Sequence, residues 1–504
     1  MSVPFSGKQF NFTQPDGSAL QVRGWGNQHH AVFETLNGYT VVEDPATGFY
    51  QYADLSADGD DLLPTGARPR LVNPQNLNLA RGIRTSRVAA KAKALEHPGL
   101  PPGNSRWEQR RKQSKQAMHI AMAAPGIAPA PPQRETVGDF LGLCLLIEFP
   151  DVPATISRDQ VDHFCNKPGY SEFGNNGSVY DYFLEISGGR LKYKNIVAPY
   201  YKAKHPRSYY TNEAIAQPIR ARQLIKEALN YHRAQGFNFT GLTVDNQQYV
   251  YATNVFYAGT RVNNWAKGLW PHSHYLQTPY QLAPGRNAYD YQITDMTNEL
   301  SLGTFCHENG HMICDFPDLY DYGSESSGVG MFCLMCAGPN ADEKNPPHVG
   351  AYLKHKAGWA QALTKISAGL AGTAVAGSNK FFIHRKGPTE YYVIENRFKH
   401  GRDQALPASG LAIWRIDELG DNQNEQMTSA LHYECSLVQA DGRNDLENDP
   451  HNYGDATDLF AKGGNDHFAT ATAPNSKWWD GAVSGLDISS IGPAGAQITF
   501  TGNV

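Results

Sequence analysis

The sequence predicts a mixed α+β or α/β protein of more than one domain, and three observations carry that prediction. Its 504 residues, 40% hydrophobic and 18% charged, suffice to bury more than one core. Both ends of the chain read as short strands broken by turns, whereas the middle alternates apolar runs with amphipathic stretches. Within that middle, Cys306-His307-Glu308-Asn309-Gly310-His311 places two histidines four apart on a helical face.

Residues 1–80 carry the turn signals Pro15-Asp16-Gly17, Asn37-Gly38 and Ala57-Asp58-Gly59 with aromatics between them, a β-rich pattern. Residues 81–136 turn basic at Arg110-Arg111-Lys112, then Ala- and Pro-rich at Ala128-Pro129-Ala130-Pro131-Pro132. That composition predicts a linker, either a solvated tether or a site of proteolytic activation. Residues 137–365 are expected to form an α/β unit. Phe140 to Ile147 reads as a buried strand, residues 219–235 as a helix over the sheet, and Tyr289 to Cys306 as a helical approach to the histidine motif with a pause at Gly303. From 366 to 504 short strands alternate with Gly, Asn and Asp turns, which predicts a β-sandwich.

A net charge of -5 points to no nucleic-acid or anionic-membrane partner, and no apolar run is long enough for a transmembrane helix. The first residues lack a charged leader followed by an apolar stretch, so no signal peptide is expected. Seven cysteines leave at least one thiol unpaired. Cys306, Cys314, Cys333 and Cys336 gather near the motif, either as a disulfide bracing it or as small buried side chains.

The motif has its own chemistry. His307 and His311 can converge on one zinc ion, and Glu308 projects toward the open coordination position, where a general base belongs. Pro317 forces the chain to turn after the helix, so a third ligand can come from the returning strand. Asp318 is the expected ligand. Asp315, four residues after His311, competes if the helix runs on, and the Cys314 thiolate is the rarer choice. Two further clusters invite a metal: His272 and His274, on a strand or in a solvated loop, and the oxygen-rich run from Asp441 to Asp449 with Asp455 and Asp458, a possible Ca2+ site without the EF-hand pattern.

His-Glu-x-Gly-His followed by Phe316-Pro317-Asp318-Leu319-Tyr320-Asp321 resembles the M6 family of metallopeptidases, the immune inhibitor A type within the metzincin-like group. Leu145 to Asp151, Gly177 to Phe183, Asn254 to Gly259, Leu334-Met335-Cys336-Ala337-Gly338, Pro347 to Lys354 and Gly410 to Asp417 are similar to family segments, so the resemblance covers most of the chain. It implies a zinc-dependent endopeptidase acting on proteins or peptides, a propeptide-like region in residues 1–80, a zymogen, and Met335 as a floor beneath the metal. It also implies secretion, which the missing leader leaves open against a cytoplasmic location. One departure is the spacing: Cys314 stands where the family has Gly, and an extra residue puts the aspartate at 318. For the oxyanion, Tyr320, Tyr322 and His348 are candidates by position. A silent zinc-containing binding protein of the same fold is the alternative, and loss of Glu308 would mark it. Glu308 is present.

Overall fold

The computed structural model describes residues 3–96, 105–123, 135–423 and 427–504. The Ala128–Pro132 run of the expected linker lies outside them. Within them the chain is a mixed α/β protein of the α+β kind, with four sheets and ten α-helices, several of a single turn. Among the described residues no helix is long and apolar enough to cross a membrane.

The N-terminal region is an antiparallel meander of β1 (Phe5–Thr13), β2 (Ala19–Gly26), β3 (Ala31–Thr35), β4 (Thr40–Glu43), β5 (Tyr50–Leu55) and β6 (Leu62–Pro64). Alternating residues on one face, among them Phe5, Phe12, Val22, Phe33, Val41 and Tyr52, form its core, and Trp265 from the middle of the chain packs against it. Two helices follow, α1 (Arg87–Glu96) and α2 (Arg106–Ala123). The described part of the expected tether is thus largely helical, because Ala, Lys, Arg and Gln propagate a helix well once it is anchored. Ser105 and Glu108 start α2 with a reciprocal cap: the Glu108 carboxylate accepts from Ser105 N–H at 3.2 Å and from its hydroxyl.

The middle unit is a five-stranded sheet in the order β10-β11-β9-β7-β8. Its parts are β7 (Gly138–Glu148), α3 (Arg158–Asn166), α4 (Val179–Ile186), β8 (Leu191–Lys202), α5 (Arg207–Tyr210), α6 (Gln217–Ala234), β9 (Thr253–Ala258), β10 (His272–Ala283), β11 (Arg286–Met296), α7 (Leu302–Cys314), α8 (Gly338–Ala341) and α9 (Ala351–Lys356). Strands β8, β7, β9 and β11 run parallel, and β10 closes the edge antiparallel. Strand β7 is buried on both faces: Leu143, Leu145 and Ile147 face α6, while Cys144 and Leu146 face α3, α4 and α7. The expected helical approach to the motif is instead a strand. Tyr289, Tyr291 and Ile293 alternate with Asp290, Gln292 and Thr294, and the Pro284-Gly285 turn closes the β10–β11 hairpin, so α7 begins only at Leu302.

The C-terminal part holds β12 (Ala362–Lys365), β13 (Leu370–Val375), β14 (Lys380–Arg385), β15 (Glu390–Arg397), β16 (Gly410–Asp417), β17 (Cys435–Leu437), α10 (Asp445–Asn448), β18 (Asp487–Ser489) and β19 (Gln497–Asn503). They make a five-stranded sheet and a three-stranded sheet facing each other. The larger sheet has two dry faces. Tyr392, Ile394, Leu411 and Ile413 face the small sheet, whereas Tyr391, Val393, Ala412 and Trp414 join the same core as the histidine helix.

Candidate metal centre and cleft

Helix α7 is locked onto the sheet before any ligand is considered. Asn309 donates to Asn254 Oδ1 at 2.9 Å and accepts from Tyr193 Oη at 2.5 Å, and Gln292 donates to the same Asn254 oxygen at 2.5 Å. This buried amide and phenol network fixes the helix's rotation, so that His307 and His311 face away from the sheet. Gly310 is required between them: a Cβ there would stand 2.7 Å from Met335 Sδ, so only glycine lets the methionine segment pass beneath the histidines.

The helix ends at Cys314, and Asp315 takes the left-handed conformation with φ 57°. That conformation, tolerated by aspartate, turns the chain one residue after the place expected from a Gly at 314. Asp315 therefore leaves the ligand face and pairs with Arg110 at 2.6 Å. The chain returns along the methionine segment, with Leu319 N–H donating to Met335 O at 2.8 Å, and this brings Asp318 to the histidines.

His307 Nε2, His311 Nε2 and Asp318 Oδ1 form a triangle with edges of 3.1, 3.1 and 3.2 Å. A tetrahedral zinc with bonds of about 2.0–2.1 Å spaces its ligands about 3.3 Å apart. His307 Nδ1 faces Leu334 O at 2.9 Å and His311 Nδ1 faces Phe316 O at 2.6 Å, so each imidazole donates there and turns the lone pair of Nε2 inward. Three acceptor atoms consequently face one another in a buried place, which demands a cation. A proton answers the same demand: burial opposes charge on His311, yet the Asp318 carboxylate outweighs it and raises the imidazole to about 9. Burial likewise opposes the Asp318 charge, and His311 and His307 overcome it, holding the carboxyl well below the usual range. Tyr322 Oη donates to Asp318 Oδ2 at 2.8 Å and leaves Oδ1 to the centre.

Glu308 lines the cleft beside this triangle. Ser273, on the edge strand β10, donates a short hydrogen bond to Glu308 Oε2, and Oε1 is buried with no hydrogen-bond partner. Ser273 gives no signal in the sequence beyond its place between His272 and His274. Those histidines lie on a buried strand rather than in a solvated loop. They do not converge on a metal: His272 is held by Trp270 O at 2.6 Å and by Tyr291 Oη at 3.1 Å, and burial lowers it to about 3. His348 sits elsewhere, against Lys354 at 2.9 Å, whereas Tyr322 lines the cleft. All seven cysteines are buried and unbridged, and burial lifts the thiols of Cys306, Cys333 and Cys336, Cys333 to about 11, so none of these three offers a thiolate. Asp441, Asp445 and Asp455 do gather, but the Arg443 guanidinium lies among them, 2.6 Å from both Asp441 and Asp455.

The cleft holds about 50 Å3 of open space and is roofed by residues from before position 135. Trp107 stacks on His311 with ring centroids 4.5 Å apart, and His29 stacks on Tyr322 at 3.9 Å. Asn27 Nδ2 donates to Tyr322 O at 3.1 Å. Helix α2 is fastened by Arg110 to Asp315, by Arg111 to Glu434 at 2.6 Å and by Lys115 to the same Glu434 at 2.8 Å. Compared with models of protein families and with curated protein sequences, the chain matches none.

Proposed function

We propose that the chain is a zinc-dependent endopeptidase of the M6 type, described here in a latent form. The observation that carries this reading is the pairing of the His307, His311 and Asp318 triangle with an adjacent carboxylate whose Oε1 is buried and unbonded. Zinc, when bound by those three side chains, supplies the Lewis acid that acidifies a water and polarises a peptide carbonyl. Glu308 Oε1 accepts the water's proton and later returns it to the leaving amine. Ser273 holds the other carboxylate oxygen, so Oε1 is the one aimed at the cleft. Tyr322 keeps Asp318 oriented. Trp107 and His29 stand where a substrate must lie, so peptide hydrolysis requires the segment before 135 to move or be cut. That geometry also supports the zymogen expected from the family resemblance.

The test is cleavage of unfolded casein by the chain cut within 124–134, by the uncut chain, and by Glu308→Ala. Cleavage by the cut parent alone, abolished by a zinc chelator, is the expected result. Zinc bound equally by parent and Glu308→Ala, with casein intact in every case, would favour the silent binding protein instead.

A further inference from the structure

Beneath α2, beside the cleft wall that Asp290 lines, lies a second built feature that hydrolysis does not use. The Asp245 carboxylate is almost wholly buried, with a side-chain exposure of 1%. Its Oδ1 is fixed by the N–H groups of Gln247 at 2.9 Å and Tyr249 at 3.0 Å. Its Oδ2 is presented to Arg106 Nη2 at 3.1 Å and Arg110 Nη1 at 3.2 Å. The Tyr249 ring lies 4.3 Å from the Arg106 guanidinium carbon, the Tyr251 ring 5.0 Å from that of Arg110, and Gln247 Oε1 accepts a further Arg106 N–H. Asp315 grips Arg110 through Nε at 2.9 Å and Nη2 at 2.6 Å. A buried carboxylate, an aromatic face and an amide oxygen are together the complement of a guanidinium, and they suit it better than an ammonium.

Both arginines belong to α2, and they flank Trp107, the residue stacked on His311. Arg106 N–H also meets the Asp290 carboxylate at 2.9 Å. When α2 leaves, Asp245 keeps its backbone clamp and loses both cations, which leaves an oriented carboxylate open to another guanidinium. We propose that Asp245, Gln247 and Tyr249 form an arginine-selecting subsite of the mature cleft, occupied by Arg106 in the latent form, so that the preferred substrates are polypeptides with arginine close to the scissile bond. This rests on the peptidase reading above.

The full chain, cut once within 124–134 and kept with its N-terminal fragment, is given unfolded casein, and the new peptide ends are sequenced by mass spectrometry. Arginine should be enriched at one fixed position from the cut by about tenfold, and Asp245→Asn should return it to background while casein is still cleaved. Tyr249→Leu, which removes the ring and spares the carboxylate, should reduce the preference for arginine over lysine. Independently of turnover, the cut Glu308→Ala chain should bind the peptide Arg-Trp-Glu-Gln-Arg about tenfold more tightly than its citrulline counterpart. Chelator-sensitive cleavage without arginine enrichment, or with enrichment unchanged in Asp245→Asn, overturns the subsite and leaves the peptidase standing. No chelator-sensitive cleavage at all overturns the peptidase reading and the subsite with it.

Discussion

At the scale of single residues, the site depends on which atom of each polar side chain is already engaged. His307 and His311 have their Nδ1 atoms committed to carbonyls, Asp318 has Oδ2 committed to Tyr322, and Glu308 has Oε2 committed to Ser273, so the remaining atoms of the first three face one another and that of Glu308 is left unbonded beside them. Ser273→Ala frees the Glu308 carboxylate to rotate without touching the metal ligands. We expect kcat on a peptide substrate to fall by about 10–100-fold with zinc content unchanged, Ser273→Thr restoring most of it. Equal kcat in parent and alanine variant would leave Ser273 as a packing residue.

At the scale of elements, what was legible in the sequence followed local pattern. The turn-punctuated N-terminal strands, the buried β7 run, the helix over 217–234 and the histidine helix all come from periodicity and breakers in adjacent residues. Two elements did not. The expected helical approach from Tyr289 to Cys306 overlooks the Pro284-Gly285 hairpin turn that makes its first part a strand, and α2 reads as a tether because its anchors, Asp245, Asp315 and Glu434, lie far away in sequence. Those same anchors predict how α2 responds to pH. Burial opposes the Glu434 charge, yet Arg111 and Lys115 lower it to about 2, so its contribution is present above its ordinary 4.5 and is lost as pH falls toward 2. Hydrogen-exchange protection of residues 106–123 should therefore fall as pH drops from 4.5 toward about 2. Protection unchanged over that range would show that Glu434 does not govern docking.

At the scale of the whole molecule, the composition shift near residue 366 suggested a separate β-sandwich, and the two facing sheets do form one layer pair. The outer face of the larger sheet, however, is sealed into the core that holds the histidine helix through Tyr391, Val393, Trp414 and Ile416. Arg397, buried and paired with Asp403 at 2.7 Å, also donates to Phe332 O beside the methionine segment. A chain ending at 365 lacks that face and uncovers the apolar residues packed under it, so it should be insoluble or bind hydrophobic dyes, whereas an independent sandwich would leave a folded 1–365 fragment with a sharp thermal transition. The most direct measurement concerns the centre on which all of this bears: the zinc K-edge absorption spectrum of the purified chain, with metal content, for the parent, Asp318→Ala and Asp315→Ala. One zinc per chain, bound only by nitrogen and oxygen, lost in Asp318→Ala and kept in Asp315→Ala, is the predicted result. Sulfur in the coordination sphere, or zinc retained equally in all three proteins, would contradict it.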